Sequence, residues 1–92
     1  MKINFFATLR QIIGQKTIDF DLPENVTVRE LVEIVVTRYP AMRPELLDEN
    51  GHLWPHVHVF VNGRDAPYLE NGVETAVKPT DTVNIFPAVG GG

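Results

Sequence analysis

Residues 81–92 read DTVNIFPAVGGG, and the alternation in this stretch sets the reading of the rest of the chain. Over 82–86, Val83 and Ile85 fall on one face and Phe86 on the other, the period of two expected of a strand with one buried side. Pro87 has no N–H to continue a ladder, so the strand stops there. Ala88, Val89 and three glycines follow.

The same period recurs upstream. Over 56–62, Val57, Val59 and Val61 point one way while His56, His58 and Phe60 point the other. Asn62-Gly63 then supplies the positive-φ pair of a tight hairpin, which predicts a short strand beyond it. Asn71-Gly72 marks another turn, and the Lys78-Pro79-Thr80-Asp81 run a third. Near the start, residues 2–8 alternate, with Ile3, Phe5 and Ala7 on one face and Asn4 and Phe6 on the other. A loop containing Gly14 is expected next, with Leu9, Ile12 and Ile13 available for packing. Residues 17–22 alternate again, Ile18, Phe20 and Leu22 inward, so the first two strands form a hairpin.

Between these strand pairs lies the one long helix. Thr27 followed by Glu30 is a capping box. Val28, Leu31, Val32, Val35 and Tyr39 then form an apolar stripe at helical spacing. Pro40 disfavours the helical region for Tyr39 and ends the element. Residues 41–55 are expected to be irregular, with a turn of helix near 44–47 and a chain reversal at Asn50-Gly51. The order is strand, strand, helix, strand, short strand, strand. One helix covering one sheet gives a two-layer α+β roll.

At 92 residues the chain is one domain with room for a single thin core. Its net charge of −4, with no run of Lys or Arg, argues against a nucleic-acid partner and for protein partners with basic docking surfaces. The apolar start is too short for a signal peptide or a membrane helix, so a cytoplasmic protein with no membrane partner is expected. The absence of cysteine excludes disulfides, thiolate metal sites and a cysteine nucleophile. No Walker loop, nucleophile elbow or HExxH pattern is present, so the chain is not expected to be an enzyme.

Three stretches, KINFFATLRQIIG, VFVNGRD and DTVNIFPAVGGG, together resemble the MoaD/ThiS family of ubiquitin-like sulfur carriers, and the likeness runs over essentially the whole chain. The resemblance implies a ubiquitin-like β-grasp roll: a mixed five-stranded sheet packed on one main helix over residues 1–87, then a flexible C-terminal glycine tail over 88–92. The chain is longer than the thiamine-pathway carriers, and residues 41–56 and the PAVGGG ending look closer to carriers of the cysteine-synthesis type or to the small subunit of molybdopterin synthase. Three glycines close this chain where the family pattern has two.

The family also implies a chemistry. An E1-like adenylating enzyme joins the terminal carboxylate to the α-phosphate of ATP, and sulfur then displaces AMP to leave a thiocarboxylate. ATP would be the activating enzyme's cosubstrate, with no cofactor bound permanently by the carrier. Gly92 would carry the adenylate and then the sulfur. Gly91 and Gly90, lacking a Cβ, would thread into the enzyme's narrow site. The sulfur acceptor would be an enzyme of the molybdopterin synthase large-subunit or cysteine synthase type. A ubiquitin-like modifier joined to lysines through Gly92 would use the same activation.

In a β-grasp sheet the first and third strands flank the last. The alternation then puts Phe6, Phe60 and Phe86 together on the face away from the helix, an arrangement that normally marks a protein interface. Pro87 and His58 border it. His56 and His58 share a strand face as two metal ligands could, but no third ligand joins them, so no metal site is expected. Glu24, Glu30, Glu33, Glu45, Asp48 and Glu49 read as solvated surface, and Trp54 is assigned no role.

Overall fold

The computed structural model describes residues 1–87. The expected tail, 88–92, with Gly90, Gly91 and Gly92, lies outside the described residues. Five strands, β1 (Lys2–Phe5), β2 (Thr17–Asp19), β3 (His58–Val61), β4 (Arg64–Asp65) and β5 (Val83–Phe86), form one sheet in the order β2-β1-β5-β3-β4. β1 and β5 run parallel at its centre and the other pairs are antiparallel. The mixed five-stranded sheet that the family resemblance implies is therefore present.

A helix, α2 (Val28–Arg38), covers one face of this sheet. Its start is fixed as expected: the Glu30 amide donates to the Thr27 hydroxyl and the Thr27 amide to Glu30 Oε1. Val28, Leu31, Val32, Val35 and Val36 are buried against Ile3, Phe5, Ile18, Val59, Val83 and Ile85 from the strands. Burying side chains of this size contributes about 1.5–3 kcal/mol each, which offsets the modest helix propensity of the valines. Tyr39, half-buried at the helix end, rests edge-on to Phe20.

Residues 40–55 pack on the helix side. A 3-10 turn (Pro40–Met42) and a short helix, α3 (Arg43–Leu46), bury Met42, Leu46 and Leu47 in the common core. The Asn62-Gly63 hairpin has φ 52° and 83°, as the sequence demands.

Two segments differ from the sequence reading. The segment expected to be a loop around residues 9–13 is a helix, α1 (Thr8–Ile13), closed by Gly14 at φ 77°. It is anchored by fully buried Leu9, while Ile12 stays exposed. It begins at a tight turn in which the Leu9 amide donates to the Phe6 carbonyl. Ala7 sits there at φ 53°, ψ −128°, the first position of a type II′ turn that glycine usually fills. Ala7 is consequently exposed rather than facing the core with Ile3 and Phe5. The second strand also ends sooner, at Asp19. Phe20 still buries its ring because its amide donates to the Met1 carbonyl, 2.7 Å, but Leu22 is only partly covered.

Candidate functional site

The registers that build the sheet also gather the aromatic residues. His58 lies opposite Phe86 and Phe60 opposite Asn84 across the β3–β5 pair. The Phe6 amide donates to the Ile85 carbonyl, extending the parallel β1–β5 pairing by one step. Phe6 and Phe86 thus stack with centroids 4.3 Å apart and planes 9° from parallel, and Phe60 meets Phe86 edge-on at 5.5 Å. All three rings are half-buried, on the sheet face that α2 leaves uncovered.

Polar groups frame the cluster. Lys16 Nζ lies 5.1 Å from the Phe6 centroid, a cation–π distance. His58, its ring 5.9 Å from that of Phe60, contacts Asp65 Oδ2 through Nδ1 at 2.6 Å. The other Asp65 oxygen accepts from the Ala66 amide, so the carboxylate is held from both sides and orients the imidazole. Along the same face the Thr17 hydroxyl donates to Asn4 Oδ1, and Asn4 Nδ2 donates to Asn84 Oδ1. Pro87, just past the cluster, is buried.

The outward residues of the alternation thus form one surface: Phe6, Phe60, Phe86 and His58 are neighbours. His56 is not among them. It stands in an exposed turn closed by the Val57 amide on the Trp54 carbonyl, because the strand starts only at His58. Among the described residues no three His, Asp or Glu side chains are grouped as metal ligands would be.

Sequence reading missed Lys16, Asp65 and the Asn4–Asn84 contact. Asn4 and Asn84 have the same strand parity as the phenylalanines, so that signal was present; Lys16 reaches the face beside β1, where its carbonyl accepts from the Phe5 amide, and Asp65 through the β3–β4 hairpin, where it lies opposite Phe60. Stacked rings rimmed by a cation, an oriented histidine and amides suit recognition of another protein. Elsewhere the acidic residues have structural partners or face solvent. Glu33 pairs with Arg43, and Asp48 accepts the amides of Asn50 and His52. The Asp48 carboxyl is held below its ordinary range by the His52 amide foremost.

A helix gripped by a mixed sheet with parallel first and last strands at its centre defines the ubiquitin-like β-grasp class, and solved structures agree. The crystal structure of SAMP1 from Haloferax volcanii superposes with a TM-score of 0.84 at 27% identity, covering 99% of this chain and 97% of that one. The crystal structure of the Amycolatopsis orientalis BexX/CysO complex contains a chain matching at TM-score 0.78 and 30% identity, over 99% and 98% of the two chains. In sequence, small archaeal modifier protein 3 of Haloferax volcanii is 36% identical over 92 residues, 100% of this chain and 98% of the relative. The ThiS family model matches residues 3–92. The chain belongs to the ThiS family, the ubiquitin-like sulfur carriers.

Proposed function

We propose that this protein is a sulfur carrier that works with partner enzymes and has no catalytic machinery of its own. The C-terminal carboxylate of Gly92 attacks the α-phosphorus of ATP on an E1-like adenylating enzyme, and pyrophosphate leaves. A sulfur nucleophile then displaces AMP, and the resulting thiocarboxylate donates its sulfur in cofactor or metabolite synthesis of the molybdopterin or cysteine type. ATP belongs to the activating enzyme in this scheme, and a route that consumes it belongs in the cytoplasm.

The observation that carries this reading is the position of β5. It is the central strand of the sheet, it bears Phe86 of the aromatic cluster, and it leads directly into the Pro-Ala-Val-Gly-Gly-Gly run. A partner docked on Phe6, Phe60 and Phe86, with His58 at the border, would receive the chain end alongside; Pro87, expected at that border, is buried. Gly90, Gly91 and Gly92 carry no Cβ to obstruct a narrow active site. That a structural neighbour, CysO, was crystallised in complex with BexX supports the expectation of a protein partner.

A second reading, attachment through Gly92 to lysines of other proteins, is favoured by the relative named a small archaeal modifier protein. Both readings share the adenylation step. It is tested by incubating the chain with its host's adenylating enzyme and ATP and measuring exchange of labelled pyrophosphate. Exchange with the intact chain and none after deletion of Gly91 and Gly92 supports the shared step. Equal exchange with the truncated chain contradicts it.

A further inference from the structure

On the helix side of the molecule, α2 and the loops at 47–53 and 72–74 surround a cavity of about 250 Å³. Val32, Leu47, Leu53 and Val73 form its apolar walls, and Leu53 and Val73 are only partly buried. An apolar cavity of roughly 150 Å³ accepts a benzene ring, so this one has room for a large aliphatic or aromatic side chain.

The rim is acidic. Glu33 borders the cavity and also the two depressions beside it, one running past Asp48, Glu49 and Trp54, the other past Glu24 and Glu30. The two arginines along this trough are already engaged: Arg29 Nε lies 2.7 Å from Glu74, and Arg43 lies 2.9 Å from Glu33. Glu24, Glu30, Asp48 and Glu49 are left without a basic partner among the described residues. The Thr27 amide and hydroxyl hold the Glu30 carboxyl below its ordinary range, and backbone amides do the same for Asp48, so both stay charged at neutral pH. At one end Trp54 is 41% exposed, its ring fixed by Nε1 donating to the Pro44 carbonyl at 2.9 Å. A fixed, open indole face is a preferred seat for a guanidinium.

We infer that this trough docks a basic segment of a partner protein, one large apolar side chain filling the Val32–Leu53–Val73 cavity and Arg or Lys side chains lying against Glu24, Glu30, Asp48 and Glu49. The site is on the other layer from Phe6, Phe60 and Phe86. A partner held here leaves the aromatic face free, and the inference stands whichever fate Gly92 has.

The test is an amide-shift titration of the isotopically labelled full chain with a blocked arginine–glycine peptide carrying one central leucine. The expected result is saturable binding with the largest shifts at Val32, Leu47, Leu53 and Val73. Replacing the peptide's leucine by glycine should weaken binding about tenfold, the equivalent of losing one buried apolar side chain. Leu53→Glu should do the same, and the pair Glu30→Gln with Glu49→Gln should weaken binding and flatten its salt dependence. If Leu53→Glu unfolds the domain, the leucine-free peptide makes the same comparison on the unaltered chain. Equal binding with and without the leucine, shifts centred on Phe60 and Phe86, or no saturable binding would each overturn the inference.

Discussion

Phe6 and Phe86 stack almost face to face, with centroids 4.3 Å apart, although one follows the first strand and the other ends the last. The stack exists because β1 and β5 are parallel neighbours, which brings both strand ends to the same side of the sheet. Phe86 touches both Phe6 and Phe60, and the rings take no part in the core beneath, where Ile85 and Phe5 are fully buried.

Function and folding should therefore separate at adjacent positions of β5. Phe86→Asp removes two ring pairs, each worth about 0.5–1.5 kcal/mol, on a half-exposed face, so the domain should stay folded. Affinity for the sulfur-accepting enzyme should fall tenfold or more, roughly a hot-spot loss. Ile85→Asp places a carboxylate in the core and should prevent folding. Circular dichroism with a pull-down on the sulfur-accepting enzyme distinguishes them. Similar behaviour of the two variants would refute the assignment of faces.

The short helix α1 gives a second contrast. Leu9 is fully buried and Ile12 is 37% exposed. Leu9→Ala should cost about 2–5 kcal/mol, whereas Ile12→Ala should stay within about 0.5 kcal/mol. Urea midpoints measure both, and comparable losses would contradict this placement of α1.

Ala7 holds a backbone conformation that suits glycine, with φ 53°. A residue with a Cβ pays about 1–2 kcal/mol in the left-handed region, partly offset by the greater unfolded-state freedom of glycine. Ala7→Gly should thus stabilise the domain by about 0.5–1 kcal/mol, raising Tm by a few degrees. A lower Tm would show that the turn is not strained.

These positions also mark how far the sequence could be read. The alternation of Val57, Val59 and Val61, the Thr27–Glu30 box and the Asn62-Gly63 turn are local signals, and each element formed where its signal stood. The helix at 8–13 has no such signal: no side chain caps it, and it starts from an Ala in a glycine-like turn that neighbours in space impose. The aromatic face was legible because strand parity is local, once the strand order is supplied. The Lys16 contact depends on where β2 is placed, which parity does not determine, and the Asp65 contact on a side-chain pairing with His58 that parity does not show. Alternation extends the strand back to His56, because it cannot tell a strand from the turn that leads into it. The helix-side trough was invisible because it is assembled from a helix and two loops.

Acid should weaken the helix cap. The Thr27 amide, then its hydroxyl, hold the Glu30 carboxyl below its ordinary range. A group with a depressed folded pKa stabilises at neutral pH, and that contribution fades as pH falls through the carboxylate range. Glu30→Gln should lower the urea midpoint at neutral pH, and the gap to the parent chain should narrow toward about pH 3. A gap independent of pH would show that the charge on Glu30 does not matter to the cap.

The central claim is that Gly92 carries sulfur, and intact-mass spectrometry of the chain isolated from its native host tests it most directly. The account predicts a species heavier by one sulfur-for-oxygen exchange, located to the C-terminal fragment and absent when Gly91 and Gly92 are deleted. A chain found only as the free carboxylate while the host's sulfur-transfer pathway is active, or the same mass gain mapped to another segment, would contradict it.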